Sequence, residues 1–262
     1  MNGLAAAIRT ELTKARRSRV PWGLAAGFTL APLVSGLFMI ILKDPEAARS
    51  LGLLGAKAQL TAGTADWPTF LSMLGQAATI GGAILFAFLT AWVFGREFAD
   101  RTVRGLLAVP TRRRSIVLGK AVVVVVWSVA IATWVIVLGL VVGALVGLPG
   151  WSTDLALSAV GGTALGVLLT ISLQTATAFF AGVGRGYIAP LAWAIATIAT
   201  SQILAVLGWG AWFPWSVPAI LAGAGGAAVE PVSAPAVVLV VVVAAVGLVA
   251  TITWWERADQ TG

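Results

Sequence analysis

Cysteine and histidine are absent from this chain, and only 10% of its 262 residues are charged. Without cysteine there are no disulfides and no thiolate chemistry. Without histidine the commonest metal ligand and the commonest general base are missing, so the sequence assigns no catalytic residue and no metal site. Charge this sparse lies far below the roughly one residue in four of soluble domains, while 59% of the residues are apolar and the mean hydropathy is +0.97. Also lacking is a G-x-x-x-x-G-K-[ST] loop to cradle phosphates: Gly119-Lys120 has neither the upstream glycine nor the following hydroxyl. Any work this protein does with ATP must be powered by a partner.

What is present is a series of apolar runs long enough to cross a bilayer, which takes about 20 helical residues. Six are expected: Val20 to Leu42, Phe70 to Phe94, Ala121 to Val146, Leu155 to Val183, Tyr187 to Leu207 and Pro235 to Trp255. Backbone groups in lipid must bond within their own segment, so each span should be an α-helix, giving an all-α polytopic membrane protein. Residues 1–19 form a separate flank, and 20–262 a single transmembrane domain. A shorter piece over residues 213–224, from Phe213-Pro-Trp-Ser-Val-Pro218 onward, is too short to cross and is interrupted by prolines. It reads as an outer re-entrant or interfacial segment.

Charge sets the expected orientation. With the N-terminus inside, fourteen of the seventeen Lys and Arg residues fall on the cytoplasmic side, and only Lys43, Arg49 and Lys57 outside. This bias accounts for a pI near 11.1 without nucleic acid. Both termini are therefore placed in the cytoplasm, with the first span acting as an uncleaved signal-anchor. In the N-terminal flank, Leu4, Ile8 and Leu12 recur every four residues among Arg9, Lys14, Arg16 and Arg17. That is the pattern of a basic amphipathic helix lying on membrane lipids. The outer loop from Lys43 to Trp67 carries a second stripe, Ala47, Leu51, Leu54 and Ala58, expected to be a short external helix.

Two glycine rows, Gly139-x-x-x-Gly143-x-x-x-Gly147 and Gly162-x-x-x-Gly166, allow close backbone approach and are expected to bring the third and fourth spans side by side. No Asp, Glu, Lys or Arg falls inside the six spans as drawn, which argues against proton-coupled transport. Sodium coupling through carbonyls and hydroxyls is not removed by that argument. The polar residues available to line a path are Gln76 and Thr79 in the second span, Gln174, Thr175 and Thr177 in the fourth, and Thr200, Ser201 and Gln202 in the fifth. Such hydroxyls and amides also bond across helices or back to their own carbonyls.

The charge that the spans avoid is gathered in residues 95–120, between the second and third. Phe98, Val103, Leu106, Leu107 and Val109 give this island one apolar side, limited by Pro110. A short cytoplasmic helix of this kind docks into a partner's groove or rests on the bilayer. Here Glu97, Thr102, Leu106-Leu107, Pro110, Arg112 or Arg113, and Gly119-Lys120 resemble the pattern E…T…LL…P…R…GK of ABC exporter permeases of the second (ABC-2) type. The most similar group is that of the bacitracin and lantibiotic self-protection permeases. The likeness extends to Glu11-Leu-x-Lys…Arg19-x-x-Trp22 and to Phe213-Pro-Trp-Ser-Val-Pro218. One departure is Arg101, where many members have glycine before the threonine.

The resemblance implies six spans, an N-terminal interfacial helix, and a coupling helix that receives energy from the ATPase. It implies a permease dimer, of two copies or of paralogues, bound to two cytosolic ABC ATPase subunits that carry ATP and magnesium; this chain itself holds no cofactor. By position, Glu97, Phe98, Asp100, Arg101, Thr102, Leu106, Leu107, Pro110 and Arg112 would be the coupling element, with Phe98, Leu106 and Leu107 seated in the ATPase groove. Pro214, Trp215 and Pro218 would close the outer end of the path. The expected function is export of a hydrophobic or peptide antibiotic across the bacterial cytoplasmic membrane. The alternatives are a non-transporting scaffold or sensor subunit and, behind it, a passive channel.

Overall fold

The structure is a computed structural model that describes residues 3–44, 46, 63–108, 110–224 and 232–257; among these, every regular element is helical. The external helix expected around Ala47, Leu51, Leu54 and Ala58 falls outside the described residues.

Capping chemistry sets the first boundaries. α1 runs over Gly3–Arg17, and the Ser18 hydroxyl then accepts the Val20 N–H, starting α2 (Arg19–Phe28). At Thr29 the helix breaks and resumes as α3 (Leu30–Lys43), so the first span is made of two pieces. Asp66 accepts the Thr69 N–H at 2.9 Å and caps α4 (Trp67–Gln76), with proline in its first turn. α4 passes through a π-helical turn, Ala77–Gly81, into α5 (Gly82–Ala99). α6 (Val103–Leu107) is a short connector before α7 (Arg113–Val146). Ser152 caps α8 (Thr153–Val183) by accepting the Leu155 N–H. α9 spans Ile188–Val206, a 3₁₀ turn covers Gly210–Trp212, α10 is Val217–Leu221, and α11 is Ala234–Arg257.

Six helical stretches are long and apolar enough to cross a membrane: Arg19–Lys43, Trp67–Ala99, Arg113–Val146, Thr153–Val183, Ile188–Val206 and Ala234–Arg257. α8 is the hub, packed along α11, α5, α9 and α4, while α7 carries α1 and α3 on its other side. Five of these stretches run further than hydropathy drew them, two of them far enough to take in buried charged residues. α5 continues through Glu97, and α7 begins at Arg113 and so contains Lys120. The spans as drawn hold no charge, and Glu97 and Lys120 sit on the extensions of the same helices, where their charges meet partners.

The two glycine rows do not face one another. A Cβ at Gly139 would lie 2.3 Å from Leu74, and one at Gly143 2.6 Å from Trp67, so the α7 row receives α4. On α8, a Cβ at Gly162 would be 3.1 Å from the Leu221 carbonyl and one at Gly166 2.6 Å from that of Pro218. The α8 row is the seat of α10, whose backbone a side chain there would push away.

Candidate functional site

Two regions of this bundle carry polar chemistry. The first lies at the end where α1, α6 and the last turn of α11 gather. Ala7, Glu11 and Ala15 repeat every four residues and form the buried face of α1 against α7. Gly119 permits this approach, since a Cβ there would meet the Ala7 backbone at 3.1 Å. One turn along α1, Glu11 faces Lys120, which is wholly buried. The Lys120 ammonium donates to Glu97 at 2.7 Å, to the Val93 carbonyl at 2.7 Å and to Glu11 at 3.4 Å. Arg96 bonds both carboxylates at 3.2 Å, and Lys14 reaches Glu11 at 2.6 Å and Glu97 at 3.3 Å. Three cations thus hold two carboxylates, tying α1, α5 and α7 together. A buried lysine needs such a set because an unpaired charge in apolar surroundings is costly.

This arrangement divides the sequence-predicted coupling residues. Glu97 is turned inward to the ion pairs, and Phe98 packs edge-on against Trp254 and Trp255 of α11, with ring centres 6.0 and 5.5 Å away. Leu106 rests partly on the same apolar cluster; the side chain of Leu107 lies outside the described residues. Asp100, Arg101, Thr102, Pro110 and Arg112 are exposed, as are Arg104, Gly105 and Ala108 between them. Arg101 is left-handed at φ +57. Its N–H bonds the Phe98 carbonyl and that of Thr102 bonds the Glu97 carbonyl, closing α5 in the turn that glycine usually occupies at this position. Arg113 donates to the carbonyls of Trp255 and Glu256 and pins the end of α11. Sequence reasoning gave Glu11 no role beyond a point of likeness. The signal that could have found it is an unbalanced Lys120 next to a glycine at a helix crossing.

The second region lies under α10. Thr79, Gln174, Ser201 and Gln202, four of the residues singled out for a path, line one cavity of ≈ 40 Å³ together with Trp215 and Pro218. Thr79 stands on the π-helical turn, a deformation common at functional positions. Its hydroxyl donates to the Gly75 carbonyl and that of Thr170 to Gly166, so both turn only lone pairs elsewhere. Gln174 gives its N–H to the Thr170 carbonyl, and its buried Oε1 has no partner. The cavity is therefore rich in acceptors. Ser201 pairs with Ser216 at 2.9 Å and fastens α9 to the α10 segment. Gln76 bonds Ser72 and the Gly223 carbonyl beside the cavity. Thr175 instead joins α8 to the Ala244 carbonyl of α11, Thr177 is buried, and Thr200 is exposed on α9. Pro214 is buried, and Trp215 meets Trp193 edge-on and lies tilted against Phe213.

Six apolar helices, a charge-tied end bearing an exposed loop and an acceptor-lined cavity beneath a short helix describe an integral membrane permease. Residues 7–201 match the ABC-2 family transporter proteins, and the chain belongs to that family. It is the membrane transport subunit of an ABC transporter, a permease and not the ATPase, and it works with an ABC ATPase. Among characterised relatives, the bacitracin transport permease protein BCRB of Bacillus licheniformis is 25% identical over 178 residues, covering 68% of this chain and 85% of that one.

Proposed function

We propose that this subunit exports a hydrophobic or peptide antibiotic, with bacitracin as the first compound to test because the similar permease of Bacillus licheniformis is named for its transport. Two cytosolic ATPase subunits, carrying ATP and magnesium, drive a pair of permease copies set in the bacterial cytoplasmic membrane with their termini inside. The observation that carries the reading is the meeting of path residues and outer-segment residues in one cavity. Its unpartnered Gln174 carbonyl suits a cargo rich in N–H donors, since an unmet buried acceptor gains most from a donor. Force enters through the exposed rim formed by Asp100, Arg101, Thr102, Arg104, Gly105, Ala108, Pro110 and Arg112. Glu97 and Phe98 act behind that rim, by fixing the end of α5 to α1, α7 and α11.

The experiment is to co-express the chain with its partner ABC ATPase, place the complex in lipid nanodiscs, and follow ATP hydrolysis as bacitracin is added. Gly105→Trp is the informative variant at the rim, because a Cβ there meets nothing within 4 Å and the position is exposed. Stimulation in the wild type, its loss in Gly105→Trp and a weaker apparent affinity in Gln174→Leu are expected. Hydrolysis that ignores drug and both variants would overturn the reading.

A further inference from the structure

On the outer side of α7, away from the cavity just described, α1, α2 and α7 enclose an open slot of ≈ 830 Å³. Its mouth is at Leu12 and Arg16 on α1, and its floor is at Thr29 and Trp134, where α2 gives way to α3. Between Val126 and Trp134 the α7 wall runs eight residues, about 12 Å at the helical rise. The slot therefore stretches from a basic surface helix toward the middle of the first span. Its walls are apolar and built to stay open. Trp22 meets Trp127 edge-on at 5.0 Å and is held by a hydrogen bond from its indole to the Arg16 carbonyl. Trp134 donates to the Thr29 hydroxyl at 2.9 Å, which anchors the far end.

The charges at the mouth are unlike those nearby. Lys14 is held by Glu11 and Glu97, whereas Arg16, Arg17 and Arg19 are exposed and make no ion pair among the described residues. An apolar slot whose one charged lining residue, Arg16, stands at its head matches the chemistry of one ligand class: an anion joined to a long hydrocarbon chain. We propose that this slot is a binding site for an anionic phospholipid, its phosphate at Arg16 and one acyl chain lying between α2 and α7 down to Trp134. Guanidinium recognises phosphate through paired N–H donors, and basic residues beside a bilayer draw anionic lipid to them. A zwitterionic lipid would fill the slot but gain little at its head.

The test uses the purified full-length permease in detergent, titrated separately with phosphatidylglycerol, phosphatidylcholine and glycerol 3-phosphate, with bound lipid counted by native mass spectrometry. Two exposed positions separate head from chain: Arg16→Gln removes the charge, and Ala130→Phe fills the slot. Phosphatidylglycerol should bind at least about five-fold more tightly than phosphatidylcholine, the factor that about one basic residue contributes at an anionic surface. Arg16→Gln should erase that preference, Ala130→Phe should displace both lipids, and glycerol 3-phosphate should not bind. Equal binding of the two lipids, a preference that survives Arg16→Gln, or retention by Ala130→Phe would each overturn the site and leave only unspecific surface lipid. Binding of glycerol 3-phosphate alone would overturn it in favour of a free phosphate site. Size-exclusion profiles identical to wild type confirm that both variants are folded.

Discussion

The ion-pair cluster at the foot of α1 makes an asymmetric prediction. Lys14, Arg96 and Lys120 face Glu11 and Glu97, a balance of three positive charges to two negative. Glu97→Leu leaves three cations with Glu11 alone, and Lys120, buried completely, keeps only the Val93 carbonyl and a carboxylate oxygen at 3.4 Å. Lys120→Met leaves two carboxylates with two cations, a neutral set in which Lys14 and Arg96 still bond both acids. Removing one partner of a buried pair costs about 3–5 kcal/mol. Glu97→Leu should sit at the top of that range and Lys120→Met at the bottom. The double variant restores a cluster with one surplus positive charge, so its loss should fall short of the sum of the singles by about 2 kcal/mol. SDS titration of the purified permease, followed by the fluorescence of its twelve tryptophans, reads all four proteins. Additive losses, or a Glu97→Leu variant less than about 1 kcal/mol weaker than wild type, would refute the claim that these charges are mutually dependent.

Three further outcomes follow from local geometry. Arg101→Gly should stabilise the protein by about 0.5–1 kcal/mol in thermal melts, because the left-handed backbone costs an ordinary residue more than glycine loses in chain entropy. Partial burial works to raise the pKa of Asp66, but the Thr64 hydroxyl and the Thr69 N–H and hydroxyl outweigh it and hold the group below its ordinary 3.8. Its folded value is the lower one, so its contribution is complete above the unfolded value and is lost as pH falls through the folded one. The melting difference between wild type and Asp66→Asn should accordingly be constant near neutrality and shrink below about pH 4. Gly166→Val should cost about 1–3 kcal/mol by overpacking against the Pro218 carbonyl and Thr79. Cysteine labelling of the α10 segment should then show it displaced, and unchanged labelling would count against its seat on α8.

The spans were legible because bilayer hydropathy is a property of each stretch by itself. Residues such as Val237 to Val243 admit no other reading, and the structure places a helix across them. Pairing was not legible in the same way. Glycine spacing announced close approach on α7 and α8, yet the partners, Leu74 and the Pro218 carbonyl, come from elements that composition alone does not bring near. Lys120 reads as one more positive-inside residue until its burial is seen, and Glu11 lies 109 residues away from it. Four of the eight polar path residues meet in one cavity, while Thr175 is used to join helices. A hydroxyl's partner depends on which helix stands beside it. The left-handed turn at Arg101 was half visible, through the glycine that related permeases have there.

The bond between Glu11 and Lys120 also has an order in time. During synthesis the N-terminal helix leaves the ribosome long before Lys120 exists. At about 5–20 residues per second, Lys120 follows it by roughly 5–20 s. Through that interval the acid on α1 has only Lys14 of its own helix to meet, and the helix must wait at the membrane surface with its inner face wet. Arrival of the third span supplies Lys120 together with Gly119, the residue that makes room for α1. The docked first helix is thus a record of completed insertion, closed only once half of the transmembrane helices are in place.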